Sequence, residues 1–279
     1  MLNYHNHPAT SASKLKKIAS GTPLDYWAEY EDPTRIPFLP SEQMRQGSLV
    51  DCKITEPEKF NLRYVVAQKC DRRTKAGKAV WAEAQAEAAE KCAQVISEDW
   101  DFNASRIAEK LLSDPVASLY LRGQGQDPHF WHDTDHDIEC RYLPDMEDPG
   151  KGLLVDLKKS RSANPRLFAR QSYSLGYDIQ VAHYAEGYRD RYGEYPRQIV
   201  LLAYEWEWPH NFSVNPITDA LLEDGRRLRE EAICSIKECR RNNYWPSWGV
   251  QAMDSPKWRR PEDPANDTDV SDLGLEGIE

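Results

Sequence analysis

The sequence lacks any hydrophobic segment long enough to cross a membrane. Its longest apolar run covers six residues, 199–204, whereas a membrane-spanning helix needs about 20. The first ten residues, MLNYHNHPAT, have neither the basic start nor the apolar stretch of a secretory signal. We therefore expect no membrane association and no export, and we expect the protein to act in the cytoplasm.

Cysteine is sparse, and its spacing does not suit a metal cluster. The six cysteines, at positions 52, 70, 92, 140, 234 and 239, form no C-x-x-C pair. Cys234 and Cys239 are close in sequence, but on a helix a five-residue spacing turns them to different sides. Zinc and iron–sulfur sites use tighter spacing. We therefore expect reduced thiols and no iron–sulfur cluster.

Positive charge is also in short supply, with 36 Lys and Arg against 46 Asp and Glu, a net charge of −10. Seven of the acids lie in residues 261–279, which contain no base, so the rest of the chain carries only −3. An acidic chain argues against non-specific coating of nucleic acid, but a nearly neutral body with local bases is compatible with a nucleic-acid enzyme. We expect the acidic tail, which has no apolar periodicity, to be disordered.

Hydrophobic periodicity predicts a mainly helical part over residues 1–122. Helices are expected over residues 13–30, with a break at the Gly-Thr-Pro sequence 21–23, and over residues 41–54. The Ala/Glu-rich stretch 75–96 gives the strongest helix signal in the chain. Asn103 is expected to cap one more helix before the pattern changes.

Residues 123–250 have the pattern of a mixed α/β core, so the predicted fold class is α/β (α+β). We expect a central mixed sheet flanked by helices, preceded by the helical part, in one domain of residues 1–260. The expected elements are a β-hairpin (129–133 and 138–146), a third strand (153–160), a helix that begins at Asn164-Pro165, a helix (about 176–191), a buried strand (197–206), a short strand (212–214) and a long helix (217–240).

Two carboxylates and a lysine mark a candidate catalytic site. Asp145 precedes Asp156 by eleven residues, and a short turn between strands would bring them together. Asp156 and Lys158 leave the same face of a strand, because side chains alternate with a period of two. Leu157 between them can offer its backbone carbonyl. Two carboxylates and a carbonyl oxygen suit Mg²⁺ or Mn²⁺, and the lysine can oppose charge that develops on a phosphate.

These residues, Pro144-Asp145 and Asp156-Leu157-Lys158, resemble the signature of PD-(D/E)XK nucleases. Gln180 and Tyr184, four residues apart on the next long helix, resemble the Q-x-x-x-Y motif of the RecB-like branch. The stretches YHNHPA, DRRTKAGKA, HFWHD and GYDIQVAHYAEGY narrow the similarity to the exonuclease VIII type of phages and prophages, over about residues 4–250. The resemblance implies a restriction-endonuclease-like core with Asp145, Asp156, Lys158, Gln180 and Tyr184 in the catalytic centre.

The resemblance also implies an activity and its partners. Relatives digest duplex DNA from its ends without ATP, 5′ to 3′, and leave a 3′ single strand for phage recombination. It implies two Mg²⁺ or Mn²⁺ ions held by Asp51, Asp145, Asp156 and the Leu157 carbonyl. It further implies a ring-shaped homo-oligomer, a single-strand annealing protein as partner, and a host cell's cytoplasm as the location of a phage-encoded enzyme. The absence of a G-x-x-x-x-G-K-[ST] phosphate loop agrees with ATP independence.

Two positions depart from the family pattern. Asp51 in Gly47-Ser48-Leu49-Val50-Asp51 stands where relatives carry histidine, so it is either a replacement ligand or a solvated helix residue. Gln126 stands where relatives often carry glutamate, and we do not expect it to bind metal. These departures leave open a DNA-binding recombination module with an impaired nuclease centre. A structure-specific or site-specific endonuclease of the same fold is the other alternative.

Two groups of basic residues are candidates for phosphate contact. One lies in the DRRTKAGKA stretch and the other flanks the catalytic strand; each is otherwise an ordinary exposed charged surface. The candidates are Arg72, Arg73, Lys75, Lys78, Lys159, Arg161, Arg166 and Arg170.

Overall fold

Short polar side chains cap the helices that build the first half of the chain. The computed structural model describes Tyr4 and residues 7–250. The helices here are α1 (Ala12–Ser20), α2 (Pro23–Tyr30), α3 (Glu42–Thr55), α4 (Phe60–Arg63), α5 (Lys75–Lys91), α6 (Glu98–Ser113) and α7 (Ala117–Tyr120), with a 3₁₀ turn at Pro57–Lys59. Thr22 and Asp25 form a reciprocal capping box at the start of α2, and the Ser41 hydroxyl accepts from Met44 N at the start of α3. The predicted break between α1 and α2 and the predicted helix 41–54 are therefore present.

Two strands interrupt this part, and hydrophobic periodicity predicted neither of them. Strands β1 (Tyr64–Ala67) and β2 (Gln94–Ser97) pair in parallel, with α5 as their crossover. The helix expected over residues 75–96 ends at Lys91, because Cys92 adopts a left-handed conformation with φ 52°. The expected cap at Asn103 is also wrong: Ser97 caps α6, and Asn103 lies inside it. Pairing between segments 30 residues apart leaves no mark on local periodicity.

The second half of the chain forms a five-stranded mixed sheet with flanking helices, as predicted. Its elements are β3 (Gln124–Gly125), β4 (His129–Asp133), β5 (Ile138–Tyr142), β6 (Met146–Asp148), β7 (Leu153–Ser160), α8 (Pro165–Ser174), α9 (Tyr177–Tyr192), β8 (Gln198–Glu205), β9 (Phe212–Pro216) and α10 (Asp219–Asn242). The strand order is β3-β6-β7-β8-β9. Only the central β7–β8 pair is parallel, with α8 and α9 as its crossover connection.

The β-hairpin is shorter than predicted and lies outside this sheet. Among the described strands, β4 and β5 pair with each other up to Tyr142, and Thr10 forms a single bridge to Cys140 of β5. The next strand, β6, pairs instead with β7, with Met146 opposite Val155. Pro144 between the two strands has no N–H to donate to a ladder. Asp145 therefore lies just before β6, at the point where this neighbour of β7 begins.

Two apolar cores cover the two faces of the sheet. On one face, Leu154 of β7 packs in a core with residues of α1, α9 and α10, such as Leu15, Val181 and Ile233. On the other face, Val155 and Leu157 pack with residues of α3 and α6, such as Leu49. Leu154 lies on one face and Val155 and Leu157 on the other because neighbouring side chains of a strand point to opposite faces.

The described residues up to Trp245 belong to one compact unit. None of their helices, nor those of the few described residues beyond, is long and apolar enough to cross a membrane. The acidic tail, residues 261–279, lies outside the described residues. The expected domain limit at residue 260 lies there too, and stays a prediction.

Candidate active site

The candidate active site opens beside β7, where β6 no longer covers its edge. Asp145 Oδ2 accepts a hydrogen bond of 2.7 Å from Leu157 N, in the place where a further β6 residue would pair. In an antiparallel ladder the N–H and C=O of one residue point to the same neighbouring strand. The Leu157 carbonyl is therefore directed to the side on which Asp145 lies, beyond the last paired residue of β6.

Asp156 and Lys158 form a buried ion pair on the adjoining face of β7. The Asp156 side chain is 4% exposed and that of Lys158 13%, and Lys158 Nζ lies against Asp156 Oδ2. Lys158 Nζ also lies 4.7 Å from the centre of the Tyr177 ring. Burial opposes the charge of Lys158, but Asp156, Tyr177 and Asp145 outweigh it and raise the lysine pKa. The lysine is therefore a firmly held cation.

Helix α9 brings Gln180 and Tyr184 to the site from the same face. Gln180 Nε2 donates a 3.1 Å hydrogen bond to Asp156 Oδ1. Tyr184 OH donates to the Leu143 carbonyl at 3.0 Å, two residues before Asp145. Gln180 thus contacts the Asp156 carboxylate directly, whereas Tyr184 anchors the backbone segment that carries Asp145.

Asp51 approaches from α3, on the opposite face of the sheet. Its Oδ1 is buried and accepts no hydrogen bond from any residue that the structure describes. Burial raises the pKa of Asp51 well above its ordinary value, and the negative charges of Asp145 and Asp156 raise it further. The three carboxylates therefore share one electrostatic environment at the open edge of β7.

The pKa of Asp145 is raised for the same reasons. Burial and the neighbouring Asp156 raise its pKa to about 7, against the lowering effect of Lys158 and of hydrogen bonds from Leu157 N and the Gln126 side chain. Gln126 N also donates to the Asp145 carbonyl at 3.4 Å. Gln126, the second departure from the family pattern, therefore supports Asp145 through side chain and backbone.

The residues fit a divalent cation in their chemistry. Hard cations prefer carboxylate and carbonyl oxygens, and Asp51 Oδ1 is a buried acceptor without a described partner. A cation would also offset the mutual repulsion of the three carboxylates. As the side chains lie, no three described His, Cys, Asp or Glu residues converge closely enough to hold an ion, and Lys158 lies against Asp156. Binding through Asp156 Oδ2 would therefore require Lys158 to move aside.

The first group of candidate phosphate-binding residues lies around the start of α5. Arg72 stacks on Trp81, with the guanidinium carbon 4.5 Å from the ring centre. Arg73 forms a 3.1 Å ion pair with Asp71. Lys75 and Lys78 are exposed on the first turn of α5. Arg72 and Arg73 thus already have contacts within the protein, and the two lysines extend into solvent.

The second group of candidate phosphate-binding residues follows Lys158 at the end of β7. Arg161, Arg166 and Arg170 are exposed on α8 and the loop before it. Lys159 is half-buried, and its Nζ lies 6.0 Å from the Trp206 ring centre. Because Lys159 follows Lys158 on the strand, it points to the opposite face. The three arginines therefore remain the accessible members of this group.

Lys16 of α1 is a site residue that the sequence analysis missed. Its Nζ donates a 3.1 Å hydrogen bond to Gln180 Oε1, across 164 positions of sequence. Burial and the nearby charge of Lys158 lower its pKa to about 8. No local pattern distinguishes Lys16 from the other lysines of α1, because only the packing of α1 on α9 brings it here.

Comparison with known proteins agrees with this architecture. The family model described as "PDDEXK-like domain of unknown function (DUF3799)" matches residues 11–252. The crystal structure of a candidate exonuclease from Eubacterium rectale is similar, with a TM-score of 0.63 and 16% identity over 99% of this chain and 96% of that chain. A phage-related exonuclease from Haemophilus somnus 129PT is 13% identical over 87% of this chain and 100% of that chain, but its TM-score of 0.36 does not establish a common fold.

No curated protein matches the sequence. The family match spans most of the chain and includes each of the acidic and basic residues that converge beside β7. The chain therefore belongs to the PDDEXK-like family DUF3799, within the PD-(D/E)XK nuclease superfamily.

Proposed function

We propose that the protein is a metal-dependent, ATP-independent exodeoxyribonuclease that degrades linear double-stranded DNA from its ends. The observation that carries this proposal is the convergence of Asp145, Asp156 and Lys158 at the open edge of β7. Gln180 holds Asp156 in place through a hydrogen bond, which supports an organised site over a chance pattern. A decayed centre has no reason to retain this set of contacts.

Asp51, Asp145, Asp156 and the Leu157 carbonyl would hold Mg²⁺ or Mn²⁺, and we propose two such ions. A bound divalent cation stabilises the negative charge that builds on the phosphate during hydrolysis. Lys158, once it leaves Asp156, can direct its ammonium at the same charge from a site that solvent barely reaches. Gln180 then keeps Asp156 in position through its own hydrogen bond.

The DNA path that we propose leaves the site along α8. Ser160 at the end of β7 donates a 2.8 Å hydrogen bond to Gln171 Oε1 of α8, which fixes this helix beside the catalytic strand. α8 and the preceding loop carry exposed Arg161, Arg166 and Arg170. Arginine side chains on such a surface hold phosphates without regard to sequence, as a non-specific exonuclease requires.

The preference for ends rests on similarity rather than on the site itself. The motifs resemble exonuclease VIII, and the similar protein from Eubacterium rectale is a candidate exonuclease. We propose 5′ to 3′ digestion that exposes a 3′ single strand for phage recombination. A ring-shaped homo-oligomer and a single-strand annealing protein as partner belong to the same proposal.

Digestion of matched DNA forms tests the activity. The purified protein, with Mg²⁺ and without ATP, is incubated with linear, nicked and covalently closed duplexes of one sequence. We expect loss of the linear form and survival of closed circles, while duplexes labelled at one 5′ or one 3′ end report polarity. Rapid cutting of closed circles would replace the exonuclease with an endonuclease of the same fold. No cleavage with Mg²⁺ or Mn²⁺ would reject the enzyme.

A further inference from the structure

A hydrogen-bonded chain of side chains connects the N-terminal helix to the catalytic carboxylate. Lys16 Nζ donates to Gln180 Oε1 at 3.1 Å. Gln180 Nε2 donates to Asp156 Oδ1, also at 3.1 Å. Asp156 Oδ2 faces the Lys158 ammonium. The carboxylate is therefore held between an amide on one side and a lysine on the other.

The charges at the two ends of Gln180 leave its amide one satisfactory orientation. An ammonium can only donate hydrogen bonds, and an ionised carboxylate can only accept them. With a pKa of about 8, lowered by burial and by Lys158, Lys16 remains mainly protonated at pH 7. A rotated amide would direct its oxygen at Asp156 and its NH₂ group at Lys16, and both hydrogen bonds would be lost.

The backbone makes room for Lys16 at this position. Gly176, with φ +64°, precedes α9, and a Cβ there would lie 3.0 Å from Lys16 Cγ. The bare glycine thus lets the lysine stem pass the start of α9 to reach Gln180. Both ammonium groups lie over the same aromatic ring, Lys16 Nζ at 5.4 Å and Lys158 Nζ at 4.7 Å from the Tyr177 centre.

We propose that Lys16 is a positioning residue of the nuclease centre, which fixes the Gln180 amide so that Gln180 holds Asp156 for the reaction. The inference rests on the proposed function, since it assigns Lys16 a place in the same site. It also makes α1, which lies outside the catalytic sheet, a part of the active centre.

Kinetics of four single variants and one double variant test this role. Lys16→Met should lower kcat on linear duplex about tenfold, the effect expected from one lost charge-assisted hydrogen bond, with little change in KM. Lys16→Arg keeps a donor and should recover most of the rate. In the Gln180→Ala background, Lys16→Met should cause no further loss of kcat. The double variant should therefore be no slower than Gln180→Ala alone. The matched control is Lys17→Met, because the neighbouring Lys17 pairs with Glu29 at 2.8 Å.

An unchanged kcat in Lys16→Met would overturn the inference. So would rate losses for Lys16→Met and Gln180→Ala that multiply in the double variant, because Lys16 would then act independently of Gln180. A loss of kcat that Lys17→Met shares would show a general effect on α1 and would overturn it too.

A second measurement does not need activity. The side-chain amide signals of Gln180, identified by their absence in Gln180→Ala, are recorded by ¹⁵N NMR in the metal-free protein. Lys16→Met should shift them, and Lys17→Met should not. If the wild type proves inactive, the proposed function fails while this result still decides the inference: unmoved Gln180 signals in Lys16→Met would reject it.

Discussion

The ion pair of Asp156 and Lys158 predicts a large loss of stability when the lysine charge is removed. Lys158→Met keeps the length of the side chain but takes away the cation that faces Asp156 Oδ2. Since the Asp156 side chain is 4% exposed, water cannot replace that partner. Removal of one member of a buried ion pair costs about 3–5 kcal/mol. The remaining hydrogen bond from Gln180 places the expected loss near the lower limit, at about 3 kcal/mol.

This loss converts into a measurable shift of the thermal midpoint. In a chain of roughly this size, 1 kcal/mol corresponds to about 2–4 °C in Tm, so Lys158→Met should melt about 6–12 °C below the wild type. The assay is thermal unfolding followed by circular dichroism in EDTA. Asp156→Asn in the Lys158→Met background removes the unpaired charge and should recover most of the loss.

Lys159→Met is the matched control, because Lys159 lies next in sequence but is half-buried beside Trp206 on the opposite face. It should melt within about 2 °C of the wild type, because its loss leaves no buried charge without a partner. A Lys158→Met protein as stable as this control would show that Asp156 does not depend on Lys158 for its charge balance.

Three further predictions concern the rest of the molecule. Asp51→Ala should raise the Mg²⁺ concentration needed for half-maximal cleavage at least about tenfold; superimposable Mg²⁺ titrations would make Asp51 an ordinary helix residue. Arg166→Ala, on the exposed surface of α8, should weaken duplex binding equally for all sequences and lower the salt slope by about 1, whereas Lys91→Ala, at the end of α5, should not; equal slopes would remove Arg166 from the interface. Burial opposes ionisation of Asp133, but Arg229 and His136 outweigh burial and lower the pKa of Asp133 to about 2. The stability that the ionised carboxylate contributes is therefore present above about pH 4 and lost as the pH falls towards 2. In Asp133→Asn the urea midpoint should depend less on pH over that range, and a pH dependence equal to that of the wild type would contradict this.

Local signals in the sequence predicted most of the fold. Thr22, Ser41 and Asn164 mark helix starts because their side chains accept from backbone N–H groups of the first turn. The apolar run of β8 predicted a buried strand, and the mixed sheet around it is confirmed. The parallel pair of β1 and β2 was missed because the two strands pair with each other over a separation of 30 residues. A short window of the sequence contains only one of them.

In the candidate site too, placements within one strand could be predicted from the sequence, and contacts between elements could not. Asp156 and Lys158 could be placed together because strand geometry alone sets residues two apart on one face. The contact of Gln180 with Asp156 depends on how α9 lies on the sheet, and that of Lys16 with Gln180 on how α1 lies on α9. These are products of tertiary packing, which the motif spacing does not contain.

The nuclease rate of Asp156→Asn decides whether the Asp156 carboxylate takes part in catalysis. Release of acid-soluble nucleotides from linear duplex is measured with Mg²⁺ for the wild type and for Asp156→Asn, with circular dichroism showing that both are folded. A catalytic role of Asp156 predicts digestion by the wild type and a rate lower by about 10²-fold or more in the variant. Digestion by Asp156→Asn at near the wild-type rate would contradict it, because catalysis would then not depend on the carboxylate between Gln180 and Lys158.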